Sequence, residues 1–360
     1  ELSGEWIMAY TAIDDPSAFF QTVLWQGNGS SGRAITLGGN SDLQPDLVWF
    51  KDRTDTEANK LFDSVRGATK SVRSQDGSAE ATNTEDLQAF SSDGFTVGSN
   101  GSVNKSNGDR YVAWNWKAGT SFTNDASGTG IGTVDSAGSV NTDAGFSITK
   151  FTADGNNLTA AHGLGVAPTM IWTKNLSISK NWSVYHSSLG AGKSIFLNVT
   201  DVADADNTYW NNTAPTSTTL SYGTWSGNNN GNEIIAYCFA EKQGYSKFGG
   251  YVANSDSSNF LYTGFKPAFL IVKQTDGGGG NMNWGMFDNK RPGFNSQNGF
   301  LYANTNGAED TSNATSIDLL SNGFQLRANT VGSNPGKSYI YMAFAENPFV
   351  TSTGVPATAR

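Results

Sequence analysis

One pattern is written three times in this chain, and it constrains the fold more than any other feature. A proline opens an apolar run that ends in lysine: PDLVWFK at 45–51, PTMIWTK at 168–174 and PAFLIVK at 267–273. Next comes an aromatic followed by a polar residue, as Phe62-Asp63, Tyr185-His186 and Phe287-Asp288. An apolar–aromatic run then closes each copy: YVAWNW at 111–116, IIAYCF at 234–239 and YIYMAF at 339–344. Asp63 lies 18 positions after Pro45, and His186 lies 18 after Pro168. The third copy takes 21, with an insertion that carries the GGGG run at 277–280. Copies one and three share SDGF (92–95) and SNGF (321–324), where copy two is read with SYGT at 221–224. A period of about 100 residues is the size of a domain, far longer than a solenoid turn or a propeller blade. The chain therefore reads as a tandem array.

Within each copy the apolar runs are short and rich in aromatic and β-branched residues, with Gly and Asn between them to supply turns. DLVWF, TMIWT, FLIVK, SIFLNV and GFQLRA all read as strands. Proline has no N–H to donate, so it is expected at a strand's first residue, and the closing lysine is expected to mark the exit into solvent. Apolar residues on both faces make the proline strand and the closing aromatic strand central in a sheet. Helical periodicity is nearly absent. NTEDLQAF (83–90) is the best helix candidate, with Asn83 or Thr84 as cap and Asp86 in the first turn. The fold class expected is all-β: a tandem array of three diverged β-sandwich (jelly-roll-like) domains with very little helix. The boundaries expected are an N-terminal extension at 1–18, copy one at 19–118, copy two at 144–243, copy three at 244–350 and a C-terminal tail at 351–360. The small polar stretch 119–143 reads as a linker with room for a short strand near Thr133 to Val140. The passage between copies two and three is shorter, so those two are expected to pack more tightly together than copies one and two.

Composition narrows the function classes. Only 15% of residues are charged while 12% are aromatic, which argues against disorder. The net charge of −9, with Lys and Arg scattered, repels a phosphate backbone, so no nucleic-acid partner is expected. Cys238 is the single cysteine, which leaves neither an internal disulfide nor a cysteine-based zinc site. No apolar run approaches the roughly 18 residues of a membrane span, so no membrane insertion is expected. The first ten residues have neither the basic region nor the apolar core of a signal peptide, and Met8 opens a natural start that would make 1–7 an upstream extension.

Candidate chemistry is sparse. His162 sits in AHGLGVAP and His186 takes the place of Asp63 and Asp288; neither has a nucleophile elbow or a metal partner at useful spacing. Glu80 and Glu309 correspond in AEAT and AEDT, and an acid kept in two copies points to a structural role more than to a glycosidase pair. Asp201, Asp204 and Asp206 lack the glycine and distal glutamate of an EF-hand, so they read as a solvated loop. GTGIG (128–132) has no helix behind it to hold a pyrophosphate. Neither catalytic nor metal-binding residues are assigned, and no cofactor is expected. Trp49, Trp114, Trp116 and Trp172 fall on core strands. Tyr209, Trp210 and Trp225 fall in polar loops among Asn and Asp, where an exposed ring could stack on a sugar while amides bond its hydroxyls. These three are the candidate ligand-binding residues.

PDLVWFKDR, LFDSVRGATK, AEATNTEDLQAFSSDGFTVG, RYVAWNWKAG, AYCFAEKQGYSKFGGYVANS and YIYMAFAENPFVTSTGVPATAR together resemble the repeated β-sandwich module of tail-fibre-like virion structural proteins of marine and environmental bacteriophages. The resemblance spans about residues 8–360. It implies a location in the virion after assembly in the host cytoplasm, and it carries over no catalytic residue. The expected function is that of a non-enzymatic virion structural protein, a tail fibre or appendage. Its expected partners are other virion proteins, a host cell-surface glycan or receptor, and further copies of itself in a homo-oligomer. A capsid-decorating protein and a glycan depolymerase are the alternatives.

Overall fold

A computed structural model describes residues 9–106, 108–224, 227–254, 259–277, 282–311, 317–327 and 331–356. The first unit contains β1 (Phe20–Gln26), β2 (Arg33–Thr36), β3 (Leu47–Asp52), β4 (Lys60–Asp63), β5 (Lys70–Arg73), β6 (Ala81–Thr82), β7 (Leu87–Ser91), β8 (Gly94–Val97) and β9 (Arg110–Trp116). The second contains β10 (Thr120–Asn124), β11 (Ser136–Asn141), β12 (Phe146–Thr152), β13 (Leu158–Ala161), β14 (Met170–Asn175), β15 (Ser183–His186), β16 (Ile195–Phe196), β17 (Thr219–Tyr222) and β18 (Glu233–Phe239). The third contains β19 (Ser246–Val252), β20 (Asn259–Tyr262), β21 (Phe265–Gln274), β22 (Gly285–Asp288), β23 (Leu301–Tyr302), β24 (Ile317–Leu320), β25 (Gly323–Leu326) and β26 (Ser338–Pro348). The described helices are single turns, so the all-β expectation holds.

Each unit lays a large antiparallel sheet against a small one. The large sheets run β1-β9-β3-β4-β5-β6, β10-β11-β12-β18-β14-β15-β16 and β19-β26-β21-β22-β23. The small ones are β2-β8-β7, β13-β17 and β20-β25-β24. The three proline-led strands, β3, β14 and β21, hold the same place, each between the closing aromatic strand and the aromatic–polar strand. Register agrees as well: Leu47 faces Trp116, Met170 faces Phe239, and Phe269 faces Phe344.

Period-two alternation explains why these strands are apolar throughout. On β9, Tyr111 and Ala113 point into the first unit's own sandwich, while Val112, Trp114 and Trp116 point the other way. On β18, Ile234, Ala236 and Cys238 fill the second sandwich, and Ile235, Tyr237 and Phe239 turn outward from it. On β26, Tyr339, Tyr341 and Ala343 divide in the same manner from Ile340, Met342 and Phe344. The three outward faces meet in one shared core. There Trp49 lies edge-on to Trp172 at 5.5 Å, Trp114 packs on Phe269 at 5.4 Å, and Phe239 meets Phe344 at 6.1 Å. Every pair of units is thus in contact.

Three local expectations are corrected. The stretch 119–143 is no linker: it supplies β10, β11 and a one-turn helix at Ala126–Thr129, and the whole of β11 pairs with β12 from Phe146 to Phe151. Residues 83–90 form no helix. The backbone turns at Asp86, whose N–H donates to the Asn83 carbonyl, and enters β7. SYGT does not match SDGF, because Gly94 opens β8 opposite Thr36 whereas the equivalent start of β17 is Thr219, opposite Ala161. The extension at 1–18 and the tail at 351–360 are packed where described. Thr11 bonds the Gln243 carbonyl, Ile13 is buried, and the Asp14 carboxylate accepts from the Ser352 N–H at 2.6 Å.

Candidate functional site

The seams between units are rich in buried polar contacts, and these contacts repeat cyclically. Just before each aromatic–polar strand, a side-chain N–H crosses to a backbone carbonyl of a neighbouring unit. Asn59 Nδ2 reaches Ala303 at 3.1 Å, Trp182 Nε1 reaches Arg73 at 2.7 Å, and Trp284 Nε1 reaches Phe196 at 2.8 Å. The lysines that end the proline strands cross the same seams. Lys51 Nζ donates to the Asn306 carbonyl at 3.2 Å, Lys174 Nζ to Gly77 at 3.2 Å, and Lys273 Nζ to Thr200 at 3.0 Å. All three are buried rather than at an exit into solvent, because the neighbouring unit covers the strand end. Burial pulls each ammonium down to about 8. A backbone bond finishes each seam: Glu80 N–H to Leu176, Ala203 N–H to Thr275, and Glu309 N–H to Arg53.

The polar residue of the aromatic–polar pair sits at the centre of this arrangement. Asp63 takes Arg66 Nε at 2.5 Å and the Tyr237 hydroxyl of unit two at 2.7 Å. Asp288 takes Arg291 Nε at 2.6 Å and the Trp114 indole N–H of unit one at 3.2 Å. Arg66 also donates to Glu80, and Arg291 to Glu309, so the two glutamates that correspond in sequence brace corresponding arginines. Unit two substitutes an uncharged set. His186 Nδ1 accepts from the Ser188 N–H, which leaves the proton on Nε2, and that N–H donates to the Tyr341 carbonyl of unit three at 3.4 Å.

These environments decide what the titratable groups can do. Burial holds His186 at about 4, so its ring is neutral near pH 7. We expect its imidazole NMR signals to stay constant from pH 5 to 8. Because the folded value lies below the ordinary one, His186 withdraws stability as pH falls from about 6.5 through about 4; a titration midpoint near 6.5 in the folded protein would contradict the seam geometry. Burial also lowers His162, which bonds the Thr216 carbonyl. The Cys238 thiol is pushed up to about 12 and is fully buried, so thiolate chemistry is suppressed.

The sugar platform read from the sequence is not assembled. Trp210 is 1% exposed, with its ring edge-on to Tyr185 at 5.7 Å, and Tyr209 packs against Phe196 at 5.3 Å. Both rings belong to the core of the second sandwich. Trp225 lies outside the described residues. The polar neighbours of Tyr209 and Trp210 face solvent while the rings turn inward, a distinction that composition does not carry. Among the described residues, no group of three or more His, Cys, Asp or Glu side chains is placed to hold a metal ion, Asp201, Asp204 and Asp206 included. No described helix is long and apolar enough to cross a membrane.

Two clefts open beside equivalent strands. One, of about 550 Å³, runs along β1 between the Gly38–Asn40 turn of unit one and Ala268, Asn289 and Glu346 of unit three. The other, of about 450 Å³, runs along β19 beside Leu189 of unit two. In the first, Thr22 is 9% exposed, and neither its hydroxyl nor the buried Asn289 Oδ1 has a hydrogen-bond partner among the described residues. The sequence gives no signal for this cleft, because its walls come from segments more than 200 positions apart.

A family model described as Domain of unknown function (DUF7483) matches residues 15–348, which is the whole three-unit body. No curated protein and no solved structure matches the chain.

Proposed function

We propose, from the premise that this chain belongs to the DUF7483 family, that it is a non-enzymatic structural protein of a bacteriophage particle, built into a tail fibre or appendage. The observation that carries the structural half of this reading is the cyclic seam. Buried Lys, Asp, Arg and His side chains join one unit to the next, giving a body that is braced from three sides. Such bracing suits a part that transmits load without moving. The virion half rests on the motif resemblance across the chain. Host-glycan contact through Tyr209 and Trp210 loses its support with the burial of those rings, and self-association is left to faces other than the seams. Assembly in a reducing host cytoplasm fits a chain with one cysteine.

The test is immunogold electron microscopy on purified particles of the virus whose genome encodes the chain. Label on a tail appendage is the expected result. Label over the head would move the protein to capsid decoration, and particles without the chain would overturn the reading. Release of reducing sugar from host envelope polysaccharide by the purified protein would replace it with a depolymerase.

A further inference from the structure

We infer that the exposed edge of β1 is a strand-docking site, which takes one extended, uncharged segment of a partner protein, paired antiparallel as β11 pairs with β12. The inference goes beyond the proposed function and stands whether or not the protein is a virion part.

The units themselves supply the template. Register sets Phe20, Thr22 and Leu24 of β1 in the places that Phe146, Ile148 and Lys150 hold on β12. On β12 those residues face β11, with Ile148 opposite Ser139 and Lys150 opposite Ala137. On β1 no strand among the described residues faces them. The ladder parity gives the same answer. The Phe19 carbonyl accepts from Lys117 N–H and Gly27 N–H donates to Asp109, so odd-numbered residues of β1 bond to β9. Thr22 and Leu24 therefore turn their N–H and C=O groups away from the sheet, toward the cleft. A bare edge of this kind is the standard receptor for an added strand.

The cleft chooses the occupant. Its walls are Gly38–Asn40 of unit one and Asn289–Lys290 of unit three. Its lining carries Lys290 and Glu346 as charged residues, and Glu346 is already held by Lys266 at 2.6 Å. The chain's own occupant of the equivalent edge, Ser136–Asn141 (SAGSVN), carries no charge. At its centre a side chain on Gly138 would strike the Ile148 carbonyl, so a glycine or another small residue is expected opposite Val23. The β19 edge is the weaker candidate, because Ser188 of unit two already closes on Gly250.

The probe is the acetylated, amidated peptide of residues 136–141, added to the full chain at up to millimolar concentration. Saturable binding is expected, with hydrogen exchange at the Thr22 and Leu24 amides slowed about tenfold or more. Leu24→Pro removes an outward N–H without breaking the β1–β9 ladder and should weaken binding about tenfold or more. The same peptide N-methylated at Ala137 and Ser139 should also fail, and this arm leaves the protein untouched. The proposal is overturned by absence of binding at millimolar peptide, or by binding that neither the proline nor the methyl groups disturb. It is equally overturned if the free chain already protects these amides in a concentration-dependent dimer, which would give the edge to a second copy.

Discussion

Asp288→Ala is expected to cost about 3–5 kcal/mol of folding stability, the loss typical of removing one partner from a buried ion pair. Asp288 and Arg291 are both fully buried, and the carboxylate accepts from Arg291 Nε, from the backbone N–H groups of Lys290 and Arg291, and from the Trp114 indole. Deleting it leaves the guanidinium with Glu309 and the Met286 carbonyl and orphans an indole N–H that belongs to another unit. Unit two shows the uncharged alternative at the same place: His186 where Asp288 stands and Leu189 where Arg291 stands. The double variant Asp288→His, Arg291→Leu should therefore recover part of the loss. About 1–2 kcal/mol should remain, because a histidine whose Nε2 carries the proton cannot accept from Trp114. Denaturant midpoints of the wild type and the two variants check both statements. A single substitution costing under about 1 kcal/mol would mean that the seam carries little of the fold.

Raising the pH from about 8 toward 10 is expected to stabilise the protein, opposite to the behaviour of most acidic proteins. Lys51, Lys174 and Lys273 sit at about 8 in the folded chain against about 10.4 when unfolded. Within that window the unfolded chain binds more protons, so stability climbs with pH; it is lost again as pH falls through about 8. Each lysine contributes up to about 3 kcal/mol across the window. Asp52, Glu57 and Arg291 act on Lys51, Asp76 and Arg66 on Lys174, and Asp201 on Lys273, yet burial is the largest influence on each. The rise ends where tyrosines take over, since Tyr222, Tyr237 and Tyr245 are held neutral in the fold and ionise near 10 once unfolded. Denaturation midpoints at half-unit steps from pH 7 to 10.5 should show a maximum between about 9 and 10. Lys174→Met should flatten the rising limb by roughly a third. A monotonic fall above pH 8 would contradict the burial of the three ammonium groups.

Sequence carried the architecture of each unit, because strand pairing there obeys local rules. The proline, the two-faced apolar run and the closing aromatic strand each have a mechanism within a few residues, and β3, β14 and β21 fall where that mechanism puts them. What the sequence concealed is non-local. Lysine at a strand end reads as an exit, and only the neighbouring unit turns Lys51, Lys174 and Lys273 into buried donors. Apolar faces such as Val112, Trp114 and Trp116 require cover, but the pattern does not say that three of them cover one another. The stretch 119–143 is small, polar and glycine-bearing, and that composition serves a flexible linker and an edge strand equally; Gly138 is needed for close approach, not for freedom. Tyr209 and Trp210 misled for the reverse reason, since a ring pointing inward from a polar loop has the same neighbours in sequence as one pointing out.

Calorimetric unfolding of the whole chain puts the closed three-unit body to its most direct test. If shared core and seams make the units one cooperative structure, the thermogram has a single transition whose calorimetric and van't Hoff enthalpies agree. Two or three resolved transitions, each with the enthalpy of about 100 residues, would mean that the units fold as separate beads and that the seams do not bind them into one body.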